Sequence, residues 1–337
     1  MINVVFSSDD NYAIQLMVSL NSLMYNNSDE NIDVYILSNN ISSENKDNII
    51  KIVEKYDKKS VKFVEVNTIL DYLNGYVDNS MSDITVSTYS RLFLATLLPH
   101  LDKVLYLDCD SIITESVSQL WHEDIDNYMC AGVLDLMPEV YKKAIGLDGD
   151  DDYINAGVML INLKKWNDEN IEEKFMTFLI KHSDKHIHHD QGVINGVLNG
   201  RILILDPRYN WLSNFHGRKV GDVIKFYTNP ECYYSMEVLV DAQKNPVFLH
   251  FCGGANGRPW TNPKHYYHDL YNEYAVLAGV DEEKLYSQDD TNKLFGKICA
   301  LIYFNEYISW IMKMVPDKIA RKITNIILEF RLKYSHL

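Results

Sequence analysis

Two carboxylates stand two residues apart in Val104-Leu105-Tyr106-Leu107-Asp108-Cys109-Asp110-Ser111, where an apolar run ends. Residues i and i+2 of a strand project to the same face, so Asp108 and Asp110 point the same way. Two anionic groups side by side repel unless a cation lies between them, and a divalent metal is the economical explanation. An ordinary acidic turn is the plainer alternative. His250 adds weight to the metal reading. It stands in Phe248-Leu249-His250-Phe251-Cys252, a strand-like stretch that runs into Gly253-Gly254-Ala255-Asn256-Gly257-Arg258-Pro259-Trp260. Two carboxylates, one imidazole and open positions suit octahedral Mn²⁺, with Mg²⁺ second because it favours oxygen-only shells. In the loop that follows, Gly253 and Gly254 let backbone N–H groups approach an oxyanion, and Arg258 offers a diphosphate a bidentate partner.

Three other constellations carry less. His182 and His186 stand at i, i+4, with His188 and His189 beyond, but the glutamate of a zinc-protease helix is missing. Asp148, Asp150 and Asp152 imitate the opening of a calcium loop, yet Tyr153 holds the place where that loop needs glycine. Neither a P-loop, a dinucleotide glycine fingerprint nor a G-x-S-x-G elbow is present, which disfavours ATPase, dehydrogenase and serine hydrolase chemistry.

The elements that must position these residues alternate in period. Ile2–Phe6 reads as a buried strand, and Ala13, Met17, Leu20 and Met24 then mark one helical face. Strands are predicted at Val34–Leu37, Val61–Val66 and Val104–Leu107, with helices over 44–56 and from Ser87 to Leu98, before Pro99. Further strands fall at Met129–Leu134, Gly157–Ile161 and Ile202–Leu205, and helices at Glu172–His182 and Gln191–Leu198. Residues 207–245 show no clear period and read as loops over a site. Such alternation predicts an α/β protein with a mainly parallel sheet between helices, its ligands beyond the carboxyl ends of the strands. Two of those ends carry acids, Asp9-Asp10 and Asp108-Cys109-Asp110.

Composition bounds the partners. The 337 residues are 47% hydrophobic and 23% charged, which is globular. Forty-seven acids against 32 bases leave a formal charge of −15, which argues against a nucleic-acid partner, since phosphate neutralisation needs a basic surface. Five scattered cysteines form neither a zinc ribbon nor a disulfide framework and suggest a reducing compartment. The N-terminus lacks a basic signal-peptide region. The longest apolar stretch, Ile298 to Val315, is broken by Asn305, Glu306, Ser309 and Lys313. A cytoplasmic protein is expected.

Six ordered motifs then carry a resemblance. They are Phe6-Ser7-Ser8-Asp9-Asp10-Asn11-Tyr12, Ser87-Thr88-Tyr89-Ser90-Arg91, Lys103 to Asp110, Asn155 to Asn162, Asp190-Gln191 and His250-Phe251-Cys252-Gly253. From Val4 to about Trp260 the chain resembles the family 8 glycosyltransferases, retaining enzymes that include bacterial lipopolysaccharide galactosyl- and glucosyltransferases and the glycogenins. The resemblance implies a GT-A (Rossmann-like) fold, a UDP-galactose or UDP-glucose donor, a glycan acceptor, and Mn²⁺ held by Asp108, Asp110 and His250. It places Ser7, Asp9, Asp10, Asn11, Tyr12 and Cys109 at the donor, with Tyr12 available to stack on the uracil. It also sets Arg91 near the diphosphate or sugar, Asp135 and Asn155 beside the hexose hydroxyls, and Asp190 and Gln191 at the reacting carbon. The glycine loop departs from the family, which usually has a lysine before Pro-Trp where this chain has Arg258. A catalytically inactive UDP-sugar-binding protein and a nucleotide-sugar hydrolase are the rival readings.

The tail differs from the body. Residues 291–337 hold eight bases and three acids, and Ile319, Ile323, Ile326, Ile327, Phe330 and Tyr334 recur at helical spacing. The expected organisation is a catalytic domain over 1–265 and a basic, amphipathic helical extension over 266–337. Residues 296–337 then suit peripheral contact with an anionic bilayer, with packing on the catalytic domain or dimer formation as alternatives.

Overall fold

The computed structural model describes residues 1–73, 86–182, 189–227, 232–252 and 257–280. Among them ten strands form two sheets. In chain order these are β1 (Ile2–Asp9), β2 (Ile32–Asn39), β3 (Lys59–Glu65), β4 (Lys103–Leu107), β5 (Ser111–Ile113), β6 (Cys130–Leu134), β7 (Ile154–Asn162), β8 (Ile202–Ile204), β9 (Trp211–Leu212) and β10 (Phe248–His250). The larger sheet has the order β3-β2-β1-β4-β7-β6-β8, and the smaller β5-β10-β9.

The apolar periods explain the layers. Val4, Val5 and Phe6 are buried on both faces of β1, as a strand between helical layers requires. Helix Ala13–Asn26 covers one face through Ala13, Leu16, Met17, Leu20, Leu23 and Met24, each buried Leu or Met contributing about 1.5–3 kcal/mol. Helices Ile171–Lys181 and His189–Leu198 cover the other through Phe175, Val193, Ile194 and Leu198. Strands β1 to β4 pair in parallel. Strand β7 runs antiparallel between β4 and β6, so its first residues reach the edge where β1, β4 and β6 end.

Two segments differ from the sequence expectation. The helix expected from Ser87 is a 3-10 helix over Val86–Phe93, followed by one α-turn at Leu94–Leu97. The tighter winding sets residues three apart above one another and puts the Thr88 carbonyl under Arg91, whose Nε–H donates to it at 3.2 Å. Residues 207–245 are more than loops. They hold 3-10 turns at Pro207–Asn210 and Ser213–Phe215, strand β9, and helices Val220–Phe226 and Met236–Lys244. Trp211, Phe215, Val220 and Leu239 are buried there in a third core cluster with Phe251, Trp260 and Tyr271. Helix His268–Ala278 closes this cluster and docks on helix Ala13–Asn26, where the Asn26 amide donates to the Tyr274 hydroxyl at 2.7 Å. The remainder of the expected extension, from 281 onward, lies outside the described residues.

Candidate active site

Chain segments converge at the carboxyl edge of the large sheet because of how their strands pair. Asp9 ends β1, Asp108 follows β4, Asp135 follows β6, and Asn155 opens β7. The Asp108 N–H donates to the Gly157 carbonyl at 2.8 Å, which ties the end of β4 to β7. The pairing of β6 with β7 shifts register between Gly132 and Val133. An irregularity of this kind re-aims a strand, here where Asn155 to Gly157 meet the acids. The small sheet supplies the remaining group: β10 pairs antiparallel with β5, setting His250 opposite Ser111, directly after Asp110.

Among the described residues, Asp108, Asp110 and His250 form the one acid and imidazole group whose ligand atoms lie close enough to hold a metal, all within 4.8 Å of one another. His250 Nε2 is 3.2 Å from Asp110 Oδ1 and 3.8 Å from Asp108 Oδ2. The His250 side chain is 3% exposed, Asp110 13% and Asp108 24%, so the group opens to solvent on the aspartate side. The residues fit a divalent ion by two observations. Asp108 Oδ1 is occupied by Arg91 Nη2 at 2.7 Å and by the Tyr106 hydroxyl at 3.2 Å, which leaves Oδ2 toward the imidazole. At Gly157 a Cβ atom would stand 2.8 Å from His250 Nδ1 and 2.9 Å from Asp108 Oδ2, so the backbone wall is clear of side chain where the ligands gather.

The electrostatics divide the acids. Burial opposes charge on Asp110, but His250 and then Arg258 outweigh it and hold the carboxyl at about 2. His250 itself is held above the ordinary imidazole value, because Asp110 and then Asp108 outweigh burial. Asp190, buried in the first turn of helix His189–Leu198, goes the other way. Burial pushes it up to about 6, with Arg91 opposing and Asp108 adding to the rise. Arg91 Nε lies 3.0 Å from Asp190 Oδ2, but its N–H is directed at Thr88, so that contact is an ion pair without a hydrogen bond. Arg91 also donates to the Ala156 carbonyl at 2.8 Å and rests on the Tyr106 ring, its centre 4.4 Å away.

A chain of amides crosses the floor of the site. Gln191 Nε2 donates to Asp135 Oδ2 at 3.0 Å, and its Oε1 accepts the Ala156 N–H at 3.1 Å. Asn155 Nδ2 donates to the same Asp135 oxygen at 3.1 Å. Asn210 Nδ2 donates to Asn155 Oδ1 at 2.9 Å, and Asn210 Oδ1 faces His250 Nδ1 at 3.0 Å. The metal group, the two hexose-side candidates and Gln191 are therefore one connected assembly.

The other expected residues are placed less directly. Asp9 Oδ1 accepts the Tyr12 N–H at 3.1 Å, opening the turn Asp10–Tyr12. Asp10 Oδ1 accepts from Ser42 N and Asn45 Nδ2, both at 2.8 Å, and ties the start of helix Ser43–Val53 to the end of β1. Asn11 is exposed in that turn. Ser7 Oγ lies 2.9 Å from Ser90 Oγ. The Cys109 thiol faces away from its flanking acids into the core, toward the Ser7 carbonyl at 3.2 Å. Arg258 lies over both Tyr12 and Trp260, at 5.7 and 5.5 Å from the ring centres. Gly253 and Gly254 fall outside the described residues.

The competing motifs are accounted for where described. His182 is buried against Phe178, its Nδ1 donating to the Phe178 carbonyl at 2.9 Å. Lys142 reaches into the acidic loop, with Nζ donating to the carbonyls of Gly149 and Asp151 at 3.1 and 2.6 Å. Sequence reasoning missed Tyr106, Gly157 and Asn210 as site residues. A glycine inside an apolar strand was a signal for Gly157. Tyr106 reads as one more core aromatic, and nothing in Tyr209-Asn210-Trp211 marks the asparagine.

Comparison with known proteins bears on the whole body. Residues 3–263 match the family described as Glycosyl transferase family 8. A putative glycosyltransferase of Haemophilus influenzae is 36% identical over 245 residues, 69% of this chain and 72% of the relative. The lipopolysaccharide 1,2-glucosyltransferase of Escherichia coli is 28% identical, covering 77% of this chain and 72% of that enzyme. Among solved structures, galactosyltransferase LgtC in complex with donor and acceptor sugar analogs superposes with a TM-score of 0.66 at 28% identity, over 84% of this chain and 98% of that one. The α/β architecture with its mostly parallel sheet is thus the GT-A fold that the motifs implied.

Proposed function

The chain belongs to glycosyl transferase family 8, and from that premise we propose that it moves a hexose, galactose or glucose, from a UDP-sugar to a glycan acceptor with retention of configuration. The observation that carries this reading is the convergence of Asp108, Asp110 and His250 beside the amide-linked Asp135, Asn155 and Gln191. Asp108, Asp110 and His250 would hold Mn²⁺, or Mg²⁺, which supplies neutralisation of the charge that builds on the departing diphosphate. The acceptor class is a cell-surface polysaccharide or lipid-linked oligosaccharide, in keeping with the lipopolysaccharide 1,2-glucosyltransferase among the relatives.

The residues divide the work by chemistry. Asp9, Asn11 and Tyr12 take the uridine, and Arg258, beside Tyr12, supplies positive charge to the diphosphate. Asp135 and Asn155 orient the hexose hydroxyls. Retention requires either a side-chain nucleophile or a front-face route guided by the leaving phosphate. Gln191 is a neutral amide held at both ends, and Asp190 is a buried carboxyl engaged by Arg91, so neither is presented as a free nucleophile. These features favour the front-face route. Gln191 would stabilise the cationic sugar carbon, and Asp190 would orient its surroundings.

Release of UDP from UDP-galactose or UDP-glucose with Mn²⁺ tests the donor and metal. An inactive sugar-nucleotide binder would release none, and a dedicated hydrolase would ignore added sugar acceptors. A β-linked product would overturn the assignment of mechanism. Among the described residues no helix is long and apolar enough to cross a membrane. Bilayer contact through the basic tail stands as part of this proposal, tested by co-sedimentation with anionic liposomes against a chain ending near Gln288.

A further inference from the structure

The amide chain has a direction, and that direction decides which nitrogen of His250 faces the acids. The Gly157 N–H lies 3.0 Å from Asn155 Oδ1. A backbone N–H only donates, so this atom must be oxygen, and the Asn155 amide is held one way round. Its Nδ2 then meets the Asp135 carboxylate at 3.1 Å, which only accepts. Asn210 reaches the same Asn155 oxygen at 2.9 Å and must do so with its own NH₂ group. That leaves Asn210 Oδ1 facing His250 Nδ1 at 3.0 Å, where a carbonyl oxygen accepts. Nδ1 must therefore carry a proton. The other ring nitrogen is Nε2, which looks at Asp110 Oδ1 and Asp108 Oδ2.

We infer that Asn210 is a positioning residue: it fixes His250 in the form whose Nε2 is available to a metal, relaying a polarity that starts at the Gly157 N–H. The inference rests on the reading of Asp108, Asp110 and His250 as metal ligands. Asn210 is buried at 1% exposure and its side chain hydrogen-bonds Asn155 and His250, so its effect on the ion passes through the imidazole. The arrangement also links the ion to the sugar side, since Asn155 joins Asn210 to Asp135.

Two substitutions separate polarity from packing. Asn210→Leu keeps the branched shape and removes the acceptor. Mn²⁺ affinity, measured with UDP by the electron paramagnetic resonance of free Mn²⁺, should fall about 10–100-fold, the usual cost of losing a partner behind a ligating histidine. Asn210→Asp keeps an acceptor for Nδ1–H, so Mn²⁺ affinity should stay near that of the parent. It sets a carboxylate against Asn155 Oδ1, however, and transfer should slow even with metal bound. Parental Mn²⁺ affinity in Asn210→Leu, or an equal loss in both variants, would overturn the inference. A measurement on the unaltered, metal-free protein decides the matter even if a variant fails to fold. Nitrogen-15 correlation spectra at a pH where His250 is neutral should place its proton on Nδ1, and a proton on Nε2 would overturn the inference. If the parent itself binds no Mn²⁺, the proposed function fails, and the imidazole spectrum still answers for Asn210.

Discussion

Strands β1 and β4 are parallel neighbours, and each ends in a pair of acids, Asp9-Asp10 and Asp108-x-Asp110. At the end of β1 the carboxylates are consumed by backbone and amide donors. Asp9 takes the Tyr12 N–H, and Asp10 takes Ser42 N and Asn45 Nδ2. At the end of β4 they meet cationic or ligating side chains instead, Arg91 on Asp108 and His250 on both. Spacing makes the difference. Adjacent acids at a turn into a helix find unpaired N–H groups close by. Acids two apart, separated by a cysteine that points into the core, are turned to one side, where only another element can answer them. The same residue type at the same sheet edge thus closes backbone turns in one place and gathers a candidate metal group in the other.

The sharpest way to break this contrast is to remove the β4 acids. Asp108→Asn and Asp110→Asn should each abolish transfer and Mn²⁺-dependent UDP binding, and wild-type activity in either would end the metal assignment. Each should also cost stability, Asp110→Asn through the loss of its pairing with His250. On charge repulsion alone, removing one of two neighbouring acids costs nothing without metal. In the structure, however, Asp108 carries an ion pair to buried Arg91. Asp108→Asn should therefore lose about 1.5–3 kcal/mol, the range for a hydrogen bond to a charged group. Chemical denaturation of the metal-free proteins measures this, and an unchanged midpoint would show that Asp190 alone suffices for Arg91.

Next in size is Gly157→Ala. Its Cβ would meet the His250 ring and Asp108 Oδ2 at once, neither of them the loose end of a flexible chain. Overpacking of this kind costs about 1–3 kcal/mol, and here it also displaces the ligands. Thermal melting with and without Mn²⁺ should show a lower midpoint and a lost metal response together. A variant that is destabilised yet still answers to Mn²⁺ would mean that the ring moves aside without leaving the group.

The contrast extends to two buried histidines of the same region. His250 faces acids and is held above the ordinary value. His216 faces Phe251, His265 and Tyr267, and burial pushes it down to about 3 despite its bond to the Trp211 carbonyl. Its folded value lies below the unfolded one, so the stability it contributes is complete above about pH 6.5. As pH falls toward 3 the unfolded chain takes up a proton that the folded protein refuses. Stability should drop across that window by at most about 1.4 kcal/mol per pH unit from this site. Denaturation at several pH values should give a flatter acid limb for His216→Phe. An unchanged slope would place the acid sensitivity elsewhere.

How far the sequence foretold all this depends on the range of the interaction. Strands β1, β2 and β4, the helix after β1 and the Asp108–Asp110 pair were legible, because each is written in a local period or spacing. Arg91 was legible only through the family motif, and its contact with Asp108 needs a 3-10 turn where helical periodicity predicts an α-helix. Residues 207–245 were opaque for a different reason. Their helices have seven and nine residues, too short to display an amphipathic repeat. Asn210 sits among them as a buried amide whose importance lies wholly in the partners it meets, 55 residues away at Asn155 and 40 away at His250.

The smallest effect tests the scaffold side of the contrast. Asp10 joins the end of β1 to the start of helix Ser43–Val53 through two bonds on one oxygen, and those donors hold its carboxyl below the usual aspartate value. Because the folded value is the lower one, its contribution is present at neutral pH and fades as pH falls below about 3.8. Asp10→Ala should cost about 0.5–2 kcal/mol at pH 7, as loss of a capping acceptor does. Asp10→Asn, which keeps an oxygen for Ser42 N and Asn45, should restore most of it. Mn²⁺ affinity should be the same in both variants as in the parent. If instead Asp10→Ala weakened UDP binding while leaving stability unchanged, the acids of β1 would belong with those of β4. The distinction between adjacent and alternate spacing would then fail at the one residue chosen to isolate it.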